Sequence, residues 1–159
     1  MSELRTYPER PFLAASVAVF RDDHVLLAAR AHPPMEMLYS LPGGLVEPGE
    51  PLEAAALREL REEVGLEADL VGFIDHVEVI ERDESGRVRR HFVVCAYAAR
   101  WRSGEAQESP EARDVRWVRP DEVEGLRTTP GLARIVRKGF ALIEGLALTE
   151  GLALAGAHP

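Results

Sequence analysis

The sequence predicts an α+β fold, a mixed β-sheet with helices packed on its faces. Strand-like apolar runs and helical apolar periods interleave along the chain, without the regular βαβ rhythm of a parallel sheet. The 159 residues, 46% of them hydrophobic, suit one domain with a core of ordinary size. We therefore expect a single domain over 1–159, with its core at about 11–143 and a candidate flexible tail at 147–159.

The first third of the chain predicts a strand hairpin followed by a long loop. The apolar run 12–20 is typical of a buried strand, and 24–29 of its hairpin partner across a turn at 21–23. Residues 31–49 contain four prolines and three glycines, which favours a loop. A short strand is predicted within it, around 39–41.

The segment 51–65 predicts an amphipathic helix that starts at a proline and ends at a glycine. Its apolar stripe repeats every fourth residue, at Leu52, Ala56, Leu60 and Val64. At about 100° per residue, Glu59, Glu62 and Glu63 share one arc beside that stripe. Clustered carboxylates repel one another unless a cation lies among them, and such hard oxygen ligands suit Mg²⁺ or Mn²⁺. The alternative is a solvated Glu/Arg face with ordinary i,i+4 ion pairs.

The second half predicts a long antiparallel hairpin and a second helix. Strand-like segments at 70–81 and 88–101 flank a turn, and 114–118 is a further short strand. Residues 121–125 predict a short helical turn, and 131–146 carry a helical apolar period. The sequence EGLAL then occurs twice, at 144–148 and 150–154, in a glycine-rich end that we expect to fray.

Composition excludes several classes of function. A formal net charge of −8 argues against general nucleic-acid binding, because no basic stripe is available to neutralise phosphates. Cys95 is the only cysteine, so no disulfide framework is expected, and its apolar surroundings predict a packed thiol. Neither a signal peptide nor a spanning segment is visible, which makes the cytoplasm the expected location and a membrane an unexpected partner.

One spacing of residues points to a known family. The chain contains Gly, five residues, Glu, seven residues, Arg-Glu, an aliphatic residue, any residue, Glu-Glu, any residue, Gly and an aliphatic residue. The matching positions are Gly44, Glu50, Arg58, Glu59, Leu60, Glu62, Glu63, Gly65 and Leu66. This segment resembles the Nudix box at every specified position, a match with a chance probability on the order of one in ten million. A looser similarity to the family runs from about residue 11 to 143.

The Nudix resemblance implies an α/β/α sandwich and metal-dependent hydrolysis of a nucleoside diphosphate linked to another group. It implies that Glu59 and Glu63 bind Mg²⁺ or Mn²⁺, and that Glu62 completes the metal shell or accepts a proton from water. Arg58 and Glu50 would support the loop–helix junction.

Family members often draw a further acid from a loop downstream of the box. Here that loop offers Glu105, Glu108 and Glu111, of which Glu108 or Glu111 is the expected catalytic group. An acid in a polar loop can equally be only solvated.

Four residues are candidates for contact with substrate. The backbone of Gly43 and Gly44 can approach a phosphate closely because no Cβ intervenes, although glycines in a tight loop also serve as plain turns. Arg30 is a candidate phosphate contact or an ordinary surface arginine. Tyr39 is a candidate to stack on a base or ribose, or a core aromatic residue.

The substrate is predicted from a looser likeness. The segment after the box looks like small bacterial ADP-ribose pyrophosphatases, although the proline that marks one such group is replaced here by Ile80, Glu81 and Arg82. ADP-ribose or a related nucleoside diphosphate sugar is therefore the leading expectation. The alternatives are a house-cleaning nucleoside triphosphate pyrophosphohydrolase and a non-catalytic sensor of nucleotide metabolites. The sequence is compatible with a homodimer.

Overall fold

The computed structural model describes residues 5–33 and 35–155, and within them it contains a seven-stranded mixed sheet with a helix on each face. The strands are β1 (Phe12–Arg21), β2 (His24–Arg30), β3 (Tyr39–Ser40), β4 (Gly43–Leu45), β5 (Glu67–Arg82), β6 (Val88–Ser103) and β7 (Ala112–Val118). The helices are α1 (Leu52–Val64) and α2 (Leu132–Ala155), with a short 3₁₀ helix at Pro120–Gly125. The predicted mixed sheet with flanking helices is confirmed.

The sheet is mixed because β1 pairs in parallel with β6, while the other paired strands are antiparallel. Its main order is β3-β2-β1-β6-β5. Strand β4 pairs with β1 at residues 14–16, and β7 pairs with β2. The two predicted hairpins, β1–β2 and β5–β6, are both present.

Strand β1 divides the interior into two layers because its side chains alternate between the faces of the sheet. Ala15, Val17 and Val19 pack in the layer that contains α1. Ala18 and Phe20 pack in the layer that contains α2. The two faces of β1 therefore contribute to two separate hydrophobic clusters, one under each helix.

Strand β4 lies inside the segment that the sequence predicts as loop. Its residues have little intrinsic preference for a strand, since two of the three are glycines. A Cβ on Gly43 would lie 2.5 Å from the carbonyl oxygen of Ala15 and 2.7 Å from Cα of Ser16. The absence of that Cβ is what lets the chain pair closely with β1, so tertiary packing overrides the loop-like composition.

Helix α2 extends nine residues beyond the end that apolar periodicity predicts, from Leu146 to Ala155. The expected flexible tail at 147–159 is thus helical over 147–155, and its remaining residues, 156–159, lie outside the described part of the chain. The extension is rich in leucine and alanine, which are strong helix formers.

Candidate active site

Helix α1 carries its acidic arc beside the face that packs in the core. It begins after Pro51, whose backbone is extended, and ends at Gly65, whose φ of 74° closes the helix in the left-handed conformation. The adjoining face is buried against the sheet through Ala55, Ala56, Leu60 and Val64. Because that face is fixed in the core, the arc that carries Glu59 and Glu63 is held rigidly at the edge of the α1 layer.

Three carboxylates meet at this edge, two from α1 and one from the residue that precedes β7. Glu59, Glu63 and Glu111, called the acidic cluster below, each place one carboxylate oxygen within 4.8 Å of the others. Glu59 and Glu63 are half-buried, whereas Glu111 is exposed. Such a set of three oxygen donors fits a divalent cation that fills its other positions with water and substrate oxygens.

The pKa of Glu63 is strongly raised. Burial, followed by repulsion from Glu59 and Glu111, raises its pKa from 4.5 to about 8, although the N–H of Gly43 donates to it and Arg30 lies close enough to attract it. Burial also raises the pKa of Glu59, and a hydrogen bond from Arg58 opposes that rise. A positive ion among these groups would relieve both the repulsion and part of the burial penalty.

Arg58 ties the acidic arc to the loop before the helix. Its guanidinium donates to both carboxylate oxygens of Glu50 at 2.7 and 3.0 Å, and to the carbonyl of Leu45 at 3.1 Å. It also donates to Glu59 at 2.8 Å and to Glu62 at 3.1 Å. These bonds lower the pKa of Glu50 to about 2 and raise that of Arg58. The geometry is that of a support for the loop–helix junction.

The two glycines before the helix lie where side chains would collide with the site. A Cβ on Gly44 would lie 2.5 Å from the carboxylate carbon of Glu59, so the position accepts no side chain while Glu59 stays in place. Gly43 packs on β1 and donates its N–H to Glu63. The glycines are therefore explained by packing against β1 and the acidic cluster, and their contact with a phosphate stays a prediction.

The structure separates the other predicted acids from the acidic cluster. Glu62 has a side chain that is 60% exposed and is paired with Arg58 on the outer flank of α1. Glu105 is 79% exposed and lies 3.6 Å from Arg21. The carboxylate of Glu108 accepts the backbone N–H of Asp114 at 2.7 Å. Of the three downstream candidates, only Glu111 reaches the acidic cluster.

The two remaining substrate-contact candidates lie on different sides of the sheet. Arg30, at the end of β2, is close enough to Glu63 to lower its pKa. Tyr39 packs in the α2 layer instead, where its hydroxyl donates to Asp114 and its ring lies 4.9 Å from the guanidinium carbon of Arg116. The structure does not bring Tyr39 together with the acidic cluster.

Asp114 is the organising residue that the sequence did not indicate. It interrupts β7 with a φ of 42°, accepts hydrogen bonds from Tyr39 and Arg116, and donates its N–H to Glu108. The only hint in the sequence is its type, because Asp and Asn adopt positive φ more readily than most residues.

The chain matches the family described as NUDIX domain over residues 10–139. The chain belongs to the Nudix family. It is similar to a structure titled MutT NUDIX hydrolase from Burkholderia pseudomallei, with 30% identity, a TM-score of 0.69, and coverage of 82% of this chain and 98% of that one. The resemblance that the box predicts is therefore confirmed.

Curated relatives of this Nudix chain are longer proteins. It is 35% identical over 78 residues to an ADP-ribose pyrophosphatase of Methanocaldococcus jannaschii, covering 49% of this chain and 46% of the relative. It is 33% identical over 119 residues to an NAD-capped RNA hydrolase of Stutzerimonas stutzeri, covering 74% of this chain and 40% of the relative. The chain thus spans less than half the length of these two relatives.

Nudix hydrolases generally use divalent metals, and the acidic cluster supplies a donor set of the right chemistry for one. Glu59, Glu63 and Glu111 are the described residues that could hold it. Among the described helices, none has the length and apolar character needed to cross a membrane.

Proposed function

We propose that this Nudix protein hydrolyses the pyrophosphate bond of a nucleoside diphosphate linked to a second group, with Mg²⁺ or Mn²⁺ held by the acidic cluster. The observation that carries the proposal is the meeting of Glu59, Glu63 and Glu111 within 4.8 Å, with Arg58 fixing Glu59 from the side. When bound, a divalent ion supplies neutralisation of the phosphate charge and orientation of the attacking water.

The residues around the acidic cluster suit this reaction. Arg30 carries positive charge next to Glu63, where it would attract a phosphate oxygen. A carboxylate of the acidic cluster, most directly the exposed Glu111, would accept the proton that water loses as it attacks. Water adds to one phosphorus, the bridging P–O bond breaks, and the bridging oxygen leaves on the other phosphate. Glu62, paired with Arg58 outside the acidic cluster, would then act on the metal only from a distance.

ADP-ribose or a related nucleoside diphosphate sugar is the proposed substrate. The named substrates of the two curated relatives, ADP-ribose and the NAD cap of RNA, both carry a pyrophosphate that joins adenosine to a second ribose. Hydrolysis of ADP-ribose would release AMP and ribose 5-phosphate. The second candidate is a nucleoside triphosphate, the alternative enzyme substrate that the sequence leaves open. It would release a nucleoside monophosphate and pyrophosphate.

A panel assay separates these candidates. Purified protein with Mg²⁺ or Mn²⁺ is given ADP-ribose, other nucleoside diphosphate sugars, standard and oxidised nucleoside triphosphates, and diadenosine polyphosphates, and the products are resolved by chromatography. AMP and ribose 5-phosphate at the highest efficiency would support the proposal, and pyrophosphate from a triphosphate would support the second candidate. Binding without hydrolysis of any compound would support the sensor.

Two variants test the role of the acidic cluster within the same assay. Glu59→Gln and Glu63→Gln should each lower turnover by about a hundredfold or more, because each removes a metal ligand. Glu53→Gln is the matched control: it removes a carboxylate from the exposed first turn of the same helix and should retain full turnover. Normal turnover in Glu59→Gln and Glu63→Gln would rule out the proposed metal site.

A further inference from the structure

Strand β7 contains an irregularity next to the acidic cluster. Trp117 pairs with Leu26 and Arg116 with Leu27, but beyond these pairs the register changes, and Ala112 pairs with Arg30. Two β7 residues, Asp114 and Val115, thus oppose the single residue Ala28 of β2, and this insertion is called the β7 bulge below. The β7 bulge shifts the β7 residues that precede it by one position relative to β2.

That shift decides which side chain faces the α1 layer at the edge of the site. Without the β7 bulge, the register of Arg116 and Trp117 would place Arg113 opposite Arg30. With it, Ala112 takes that position and is buried in the α1 layer, while Arg113 is exposed. One residue along a strand is about 3.3 Å, a large displacement compared with the 4.8 Å that spans the acidic cluster. The β7 bulge therefore sets where Glu111 lies.

The β7 bulge is held by contacts on both sides of Asp114. Its backbone N–H donates to the carboxylate of Glu108 at 2.7 Å, which closes the turn 108–114 across its open side. Its side chain accepts hydrogen bonds from Tyr39 and Arg116. These contacts hold a non-glycine residue at a φ of 42°, a conformation that costs free energy for a residue with a side chain.

The turn between Glu108 and Ala112 is closed independently of the β7 bulge. The N–H of Ser109 donates to the carbonyl of Ala112 at 2.9 Å, and the Ser109 hydroxyl accepts the N–H of Glu111 at 3.3 Å. The carbonyl of Glu111 accepts the N–H of Ala31 at 3.1 Å. Because these hydrogen bonds restrict the conformation of the turn, the position of Asp114 determines the position of Glu111.

We propose that Glu108 is a positioning residue: by fixing the backbone of Asp114 in the β7 bulge, it places Glu111 beside Glu59 and Glu63. This inference rests on the proposed function, since the position of Glu111 matters to turnover only if the acidic cluster carries the reaction. Glu108 acts through Glu111 and does not touch the reacting atoms. It thereby differs from a catalytic acid, the role that its place in the loop first suggests.

The test compares Glu108→Ala with Glu108→Gln, which keeps an oxygen acceptor for the Asp114 N–H. Glu108→Ala should weaken Mn²⁺ binding by the metal-free protein, measured by titration calorimetry, about ten- to a hundredfold, and lower kcat by a similar factor. Glu108→Gln should stay within about threefold of wild type in both. The Asp114 amide proton should exchange faster in Glu108→Ala and stay protected in Glu108→Gln. Glu105→Ala, which removes an exposed carboxylate of the same loop that pairs with Arg21, is the control.

A double-mutant cycle with Glu111→Gln separates positioning from direct catalysis. If Glu108 acts through Glu111, adding Glu108→Ala to Glu111→Gln should change kcat by less than about twofold. The proposal is overturned if Glu108→Ala behaves as wild type, if Glu108→Gln is as impaired as Glu108→Ala, or if the two losses multiply. Failure of the proposed function gives a different result: Glu59→Gln and Glu63→Gln would then retain turnover, independently of the results for the Glu108 variants.

Discussion

The raised pKa of Glu63 predicts that the metal-free protein loses stability as pH rises. The pKa of this carboxyl is about 8 in the folded protein and 4.5 ordinarily, so the folded state binds its proton more tightly than the unfolded chain does. The contribution of Glu63 to stability is therefore complete below pH 4.5 and is lost as pH rises through 8. Glu63→Gln has no proton to lose and should escape this penalty.

The expected size of the effect follows from the shift. Linkage gives about 1.4 kcal/mol per pH unit within the window, and hence about 3 kcal/mol of unfolding free energy between about pH 5 and pH 7.5. Other groups titrate in both proteins, so the measured quantity is the difference in unfolding free energy between wild type and Glu63→Gln. As pH rises, the unfolding free energy of Glu63→Gln should increase relative to that of wild type, and the difference should level off above about pH 8.

The assay is urea unfolding in the presence of EDTA, at intervals between about pH 5 and pH 9. Glu53→Gln, which removes a carboxylate from the same helix outside the acidic cluster, is the control. Binding of Mn²⁺ near neutral pH should release close to one proton, detected as a calorimetric heat that depends on the buffer. A difference between wild type and Glu63→Gln that stays flat across this range would show that folding does not raise the pKa of Glu63.

Two further substitutions test the supports of the site. Arg58→Lys keeps the charge but loses the paired bonds to Glu50 and the bond to the Leu45 carbonyl, so urea unfolding should show a loss of about 2 kcal/mol; unchanged stability would contradict the supporting role. Gly44→Ala puts a Cβ 2.5 Å from the Glu59 carboxylate carbon, so that side chain must move. Mn²⁺ affinity should fall about tenfold or more, with only a small change in melting temperature. An unchanged affinity would show that metal binding by Glu59 does not depend on the absence of a Cβ at Gly44.

Local patterns predicted much of the fold because they depend on residues close in sequence. The hairpins β1–β2 and β5–β6 follow from apolar runs on either side of turns, and helix α1 follows from a period of four with a proline before it and a glycine after it. Strand β4 was missed because its cause is the surface of β1, which accepts a chain without side chains at that point. Nothing in the sequence of β4 indicates that it pairs with β1.

The amino-acid sequence alone predicts the family and the two members of the acidic cluster that lie on one helix. Glu59 and Glu63 are one turn apart, so helical geometry alone brings them together. That Glu111 completes the acidic cluster while Glu108 binds Asp114 is visible only in the folded chain. The β7 bulge accounts for this, because it shifts the chain that precedes it by one residue along β2, and it is held by contacts with distant residues that a strand's two-residue period does not encode.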